Sequence, residues 1–188
     1  MLKSPRPCLR IAQLLLLAGL LLCGSLTASV AAPSAEYRLK AALIYKLTEF
    51  IDWPESGQMS QHQSFNICVL GEDNFGEALD ALEQKTAHSN PIKIYRFNQS
   101  DFIDVSCQIL FISDSKKAFA KDILKSFQSE PVLTLGESEQ FARHGGMIQF
   151  SMEGKRIVFI INDAQAKRAN LKIAAPLLQL ATIVNSTE

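Results

Sequence analysis

The stretch that decides the fold is Phe65–Leu70, FNICVL, with the turn residues GEDN after it at 71–74. A short apolar run that ends at a glycine-containing turn predicts a buried β-strand. The segment Phe75–Gln84 follows with a helical pattern, in which Leu79 and Leu82 point inward. A strand that turns directly into a helix is typical of an α/β sheet.

The alternation of strands and helices continues along the chain. The run QILFIS at Gln108–Ser113 is apolar, as expected of a central parallel strand. Pro91–Phe97 and Pro131–Leu135 are further predicted strands, and Lys116–Gln128 and Ser138–Arg143 are predicted helices. Repeated strand–helix–strand units predict a parallel sheet with helices on both faces. The fold class is therefore a single Rossmann-like, three-layer α/β domain with a mostly parallel sheet.

The two ends of the domain extend this plan. Apolar residues at three- and four-residue steps predict an opening helix over Glu36–Trp53. Near the other end, Met147–Ser151 and Arg156–Ile161 predict a C-terminal antiparallel hairpin. Asn162 or Asp163 is expected to cap the helix that follows.

The apolar segment Leu171–Val184 predicts a last helix, which Pro176 must either kink or restart.

The first thirty residues have the order of a secretory signal. A basic start precedes an apolar run over Ile11–Leu22, and small residues continue to Ala32. The run is shorter than the ~20 residues that span a bilayer. We expect a signal peptide over 1–31, cleaved after Ala31, a domain over 32–188 and a periplasmic location. A retained anchor and a lipid on Cys23 are the alternatives.

Two cysteines remain in the exported domain, Cys68 and Cys107. An even pair in an oxidising compartment favours a disulfide, and two buried thiols are the alternative. Cys68 lies in the first strand and Cys107 just before the third, which a 2-1-3 strand order makes neighbours. The few histidines have no paired ligand spacing, so we expect no metal site.

Charge and motifs exclude several classes of function. The exported domain has 16 basic and 19 acidic side chains and no basic block, so neither nucleic acid nor an anionic lipid surface is an expected partner. The loop GEDNFG at 71–76 has no Lys after its last glycine and carries two acids that repel phosphate. The elbow G-x-S-x-G is absent. We therefore expect no catalytic residue, no cofactor and no enzymatic activity.

The opening helix carries an unusual number of aromatic residues. Tyr37, Tyr45, Phe50 and Trp53 give it an apolar stripe wider than one packing face needs. Core packing is one explanation. The other explanation is that the group forms a homodimer interface, because aromatic residues are enriched at interfaces.

Two terminal motifs carry a family resemblance. The first is YRLKAALIYK at 37–46 with FIDWP at 50–54, and the second runs from IIN at 160–162 to LKI at 171–173 and the leucines after it. Over essentially the whole exported domain the chain resembles the YfiR family of bacterial periplasmic proteins. Cys68 and Cys107 match one cysteine pair of that family.

The resemblance implies a regulator. YfiR-like proteins hold the inner-membrane diguanylate cyclase YfiN in check through its periplasmic part, and the outer-membrane lipoprotein YfiB relieves that check. It thus implies a periplasmic negative regulator of cyclic-di-GMP signalling that forms dimers and acts by protein–protein contact. The alternative is a periplasmic small-molecule-binding domain, with its ligand at the carboxyl ends of the parallel strands.

A mixed basic and apolar turn near the end is the expected partner-binding surface. It comprises Arg168, Leu171 and Lys172. Such patches set specificity and association rate for a partner of opposite charge. The alternative is that these cations only solvate a helix end and complement its dipole.

Overall fold

The structure is a computed structural model that describes residues 32–54, 64–98 and 106–186. The predicted signal peptide, its cleavage position and Cys23 lie outside these ranges. Within them, no helix has both the length and the apolar content that crossing a membrane requires.

Short helices and ten strands make up the described parts of the domain. The helices are α1 Ala35–Leu47, α2 Glu77–Asp80, α3 Ala120–Ser126, α4 Asp163–Arg168 and α5 Ala175–Gln179, with 3-10 helices at Ala81–Gln84 and Asp114–Phe119. The strands are β1 Ile51–Asp52, β2 Phe65–Leu70, β3 Thr86–Ala87, β4 Asn90–Phe97, β5 Ile109–Ile112, β6 Leu133–Gly136, β7 Ile148–Glu153, β8 Arg156–Ile161, β9 Lys172–Ile173 and β10 Ala181–Ile183.

Eight strands form one sheet in the order β10-β8-β7-β6-β5-β2-β4-β3. The pairs from β4 through β2, β5 and β6 to β7 are parallel, which confirms the predicted mostly parallel α/β fold. Strand β2 lies between β4 and β5, so the 2-1-3 order is confirmed as well. The predicted antiparallel hairpin is β7–β8, in which Phe150 lies opposite Phe159.

Apolar side chains cover both faces of the sheet. On one face, Ile67 of β2 and Phe111 of β5 belong to a large buried cluster with Ile44 of α1. On the other face, Leu70 and other strand residues form a second cluster with Ile123 of α3. All six residues of β2 are buried. The sheet is therefore the middle layer of three.

The expected disulfide is present. Cys68 of β2 and Cys107, just before β5, are bonded, and their Cα atoms lie 5.9 Å apart. The bond sits in the second core cluster, beside Leu70 and Leu110.

The opening helix is shorter than predicted. Ser34 caps the amino end of α1, where its Oγ accepts from the Tyr37 amide at 3.3 Å, and the helix ends at Leu47 instead of Trp53. Thr48 Oγ1 donates to the Tyr45 carbonyl at 2.7 Å and closes the last turn. The chain then forms β1, which pairs antiparallel with β9. Pairing with a distant strand has overridden the helical periodicity.

The predicted helix over Ser138–Arg143 is wrong, because the segment consists of turns. The fully buried ring of Phe141 fills the space beside two glycines. A Cβ on Gly136 would lie 2.5 Å from that ring, and one on Gly146 would lie 2.1 Å from it. Gln140 has a left-handed φ of 63°, which an α-helix does not allow.

The predicted final helix over Leu171–Val184 is also wrong. The segment divides into β9, the short helix α5 and the edge strand β10, which pairs parallel with β8. Pro176 stands in the first turn of α5, so it restarts the chain as a helix and does not kink one.

Reduction of the disulfide is expected to lower the melting temperature by several degrees. The bond joins residues 39 positions apart, and a loop of that length is worth about 4 kcal/mol on the chain-entropy model. Differential scanning calorimetry with and without a phosphine reductant measures the loss. The matched control is C68A/C107A, whose melting temperature the reductant should leave unchanged. An equal effect on both proteins would contradict the assignment.

Gly146→Ala is expected to destabilise the domain by about 3 kcal/mol, because the new methyl group overlaps the buried Phe141 ring. The control is Gly145→Ala, which meets no atom within 4 Å and costs only the strain of its φ of 103°, about 1 kcal/mol. Urea unfolding measures both. Adding Phe141→Leu to Gly146→Ala should recover part of the lost stability. A smaller loss of stability for Gly146→Ala than for Gly145→Ala would contradict the packing described.

Candidate functional site

A polar cluster lies where α1 meets the carboxyl end of β6. Glu137 follows β6 directly and receives two hydrogen bonds from α1: Tyr37 Oη donates at 2.8 Å, and Lys40 Nζ donates to the second carboxylate oxygen. Lys40 also pairs with Glu36 one turn earlier and lies 4.5 Å from the centre of the Tyr37 ring. The cluster ties α1 to the sheet.

Lys40 is the least expected member, because only 2% of its surface is exposed. A buried ammonium is tolerated only with good partners, and removal of one partner from such a pair costs about 3–5 kcal/mol. Glu137 is nearly buried too, whereas Glu36 is partly exposed. The cluster is thus a fixed arrangement with one face open to solvent.

Burial is the main cause that raises the pKa of Tyr37, and the hydrogen bond to Glu137 raises it further. Asn74 Nδ2 donates to the same hydroxyl oxygen at 3.1 Å and acts in the opposite direction. Tyr37 is therefore a neutral donor at physiological pH. It cannot serve as a base there.

A cavity of about 380 Å³ opens beside the cluster. Its charged lining consists of Lys40 and four carboxylates, namely those of Glu36, Asp114, Glu137 and Glu139. The cavity lies at the carboxyl end of the parallel strands, where α/β sheets commonly hold ligands. Its negative balance favours a ligand with a positively charged group.

The neighbouring loop at 71–76 is a self-contained turn, as its sequence predicted. Asp73 Oδ1 accepts from the Phe75 and Gly76 amides at 2.7 and 3.3 Å, so the amides that a phosphate would need are occupied. Arg96 donates to Asp73 at 2.6 Å and to Asp80 at 2.8 Å. Burial opposes the Arg96 charge, but these two bonds outweigh it and raise the pKa of the guanidinium.

The aromatic residues expected at a dimer interface pack inward. Trp53 is buried, and Tyr37, Tyr45 and Phe50 are partly buried against the first core cluster. All four residues thus take part in core packing, whereas their role in a dimer interface stays a prediction. Large exposed apolar side chains include Leu39 on α1 itself and, at the sheet edge, Leu180 just before β10 and Ile183 within it.

The expected partner surface is only partly exposed. Arg168 ends α4 and Lys172 lies in β9, and both are exposed. Leu171 is only 1% exposed and belongs to the first core cluster, so it anchors the turn and is not available to a partner. The described ranges contain no group of three or more His, Cys, Asp or Glu that could hold a metal ion.

Lys40 and Glu137 are functional candidates that no sequence motif marks. A usable signal existed for Lys40, because positions 40, 44 and 47 follow the helical step of the buried side of α1. A lysine at such a position needs a carboxylate partner. Glu137 lies 97 positions away, and no local pattern connects the two.

Comparisons with solved structures are consistent with the fold. A conserved domain protein from Vibrio cholerae O1 biovar El Tor matches 80% of the chain at 10% identity, with a TM-score of 0.53. An ABC domain from Streptococcus pneumoniae, solved in complex with L-Trp, matches 79% at 11% identity, also with a TM-score of 0.53. The chain spans 60% of the length of each. Similarity at this identity establishes a shared α/β architecture only.

No functionally curated protein matches the chain. The model of the domain family DUF4154, described as YfiR/HmsC-like, matches residues 37–182. That range runs from the first turn of α1 into β10 and contains the eight-stranded sheet except for Ile183, the last residue of β10. The chain therefore belongs to the YfiR/HmsC-like family, and this membership supports a role as a periplasmic regulator of cyclic-di-GMP signalling.

Proposed function

We propose that this protein holds a membrane diguanylate cyclase in check by binding the periplasmic part of that enzyme. The observation that carries the proposal is the family match over residues 37–182. The partner is a YfiN-like inner-membrane cyclase, and a YfiB-like outer-membrane lipoprotein relieves the inhibition. The Cys68–Cys107 disulfide is consistent with an oxidising compartment.

The proposed contact surface consists of Arg168 and Lys172. Both are exposed and both adjoin the buried anchor Leu171, so the turn that carries them is held in place by the core. Two exposed cations on an anchored turn suit an acidic patch on the cyclase, where charge complementarity sets the association rate and specificity. Control of an enzyme by such contact requires a coupling of about 1–3 kcal/mol. The protein acts as a homodimer in this proposal.

Charge reversal at the contact surface is expected to release the cyclase. In a strain that lacks the native gene, wild-type protein should lower the cellular level of cyclic-di-GMP. The variant R168E/K172E should lower it several-fold less than wild type does. The control K93E/K155E reverses two exposed cations on β4 and in the β7–β8 turn. Periplasmic level, circular dichroism and size-exclusion mass establish that both variants are exported, folded and associated as wild type. Unchanged repression by folded R168E/K172E would exclude this surface.

A second candidate function, binding of a small molecule, is favoured by the cavity beside Lys40 and Glu137. Its excess of carboxylates suits an amine or another organic cation. Native mass spectrometry of protein isolated from the periplasm is expected to reveal a bound small mass. Glu137→Gln keeps the acceptor for Tyr37 but removes the charge, and in protein that circular dichroism shows to be folded it should abolish that mass. Gln substitution of Glu130, an exposed carboxylate before β6 that does not line the cavity, is the control. Identical spectra for wild type and Glu137→Gln would refute a ligand at this cavity.

A further inference from the structure

A second concave surface lies at the opposite edge of the sheet. It is a groove of about 500 Å³ between α3, the turn before β7 and the end of α4. The turn lies just before β7, which is parallel to β6, and α4 follows β8, which is antiparallel to β7. Both elements therefore lie at the amino ends of the parallel strands, and so does the groove between them. It is separate from the cavity beside Lys40.

Basic side chains dominate the groove. Lys121 and Lys125 project from α3 and Arg168 from α4, whereas Asp122 is the only carboxylate in the lining. These three cations make no ion pair with any residue in the described ranges. With three cations and one carboxylate, the lining of the groove carries a net positive charge that no ion pair among the described residues offsets.

The two lysines also stand in an unfavourable position relative to each other. Lys121 and Lys125 are four residues apart on α3, so they lie on the same face of the helix. Like charges at this spacing destabilise a helix. An anion seated between them would remove the repulsion and gain an attraction to both.

Neutral hydrogen-bonding groups fix the floor of the groove. Gln165 Nε2 donates to the Gln128 carbonyl at 3.0 Å and joins α4 to the end of α3. Asn162 Nδ2 donates to the Ala142 carbonyl and to Ser186 Oγ, each at 2.9 Å. Asn162 Oδ1 accepts from the Gln165 amide at 3.0 Å. Separate parts of the chain are thus held together beneath the cations, and a ligand would meet a preformed surface.

We infer that this groove binds a small molecule with two or more negative charges, carried by carboxylate or phosphate groups. Its concave shape and modest volume suit a compact ligand. Ammonium and guanidinium groups provide the donors that such anions prefer. The inference stands on the groove alone and does not depend on the proposed inhibition of a cyclase.

The test is calorimetric titration of the purified protein with inorganic pyrophosphate and, separately, with citrate, at low ionic strength. We expect saturable binding of at least one probe and a rise in melting temperature on its addition. The probe that binds more tightly distinguishes a phosphate from a carboxylate ligand. Substitution K121Q/K125Q should weaken binding by about tenfold or more, because two charge-assisted contacts are lost.

The matched control is K117Q/K167Q. It also removes two lysine charges, from residues that pair with Asp114 and Asp163 and do not line the groove. This control should bind the probe as wild type does. Equal weakening in both double variants would overturn the inference, because it would reveal only a response to net charge. If wild type shows no saturable binding of either probe up to about 10 mM, the inference is overturned as well, because any remaining affinity is too weak for specific recognition.

Discussion

The structure depends on one constraint, the complete burial of β2. All six of its residues are buried, and β2 hydrogen-bonds to β4 on one side and to β5 on the other. A strand in this position needs apolar cover on both faces, and α1 and α3 provide it. The polar groups of its Asn66 have hydrogen-bond partners. The backbone N–H donates to Gln108 Oε1 and the side-chain Nδ2 donates to the Ser106 carbonyl, each at 2.7 Å. The same strand carries Cys68, so the disulfide reinforces the centre of the sheet.

The sequence predicted the parallel centre of the fold because burial on both faces leaves a plain signal, a short apolar run ended by a turn. The ends were harder. At Leu171–Val184 apolar residues fit a helix and a strand equally well, and pairing of β9 with β1 and of β10 with β8 decided the outcome. The turn around Phe141 depends on close contact with Gly136 and Gly146, which come together only in three dimensions. The pairing of Lys40 with Glu137 likewise forms only in three dimensions, although the helical position of Lys40 already marks it as buried.

The polar surfaces of the domain are divided between its two edges. Carboxylates surround the cavity at the carboxyl ends of the parallel strands, and unpaired cations line the groove at their amino ends. The near-neutral composition of the whole chain conceals this separation. For a regulator without a recognised catalytic motif, such a polarised charge distribution offers separate sites for separate partners. Arg168 contributes to both the groove and the proposed contact surface, so events at the two are physically adjacent.

The disulfide has a further consequence for a protein exposed to proteases. Cys68 and Cys107 enclose the turn after β2, α2 and the strands β3 and β4. A single cut anywhere between the two cysteines would leave both fragments covalently joined. The amino-terminal fragment would still supply β2 and the carboxyl-terminal fragment β5, held side by side by the bond. A nicked molecule could therefore keep its central strand pair and run as one species until it is reduced.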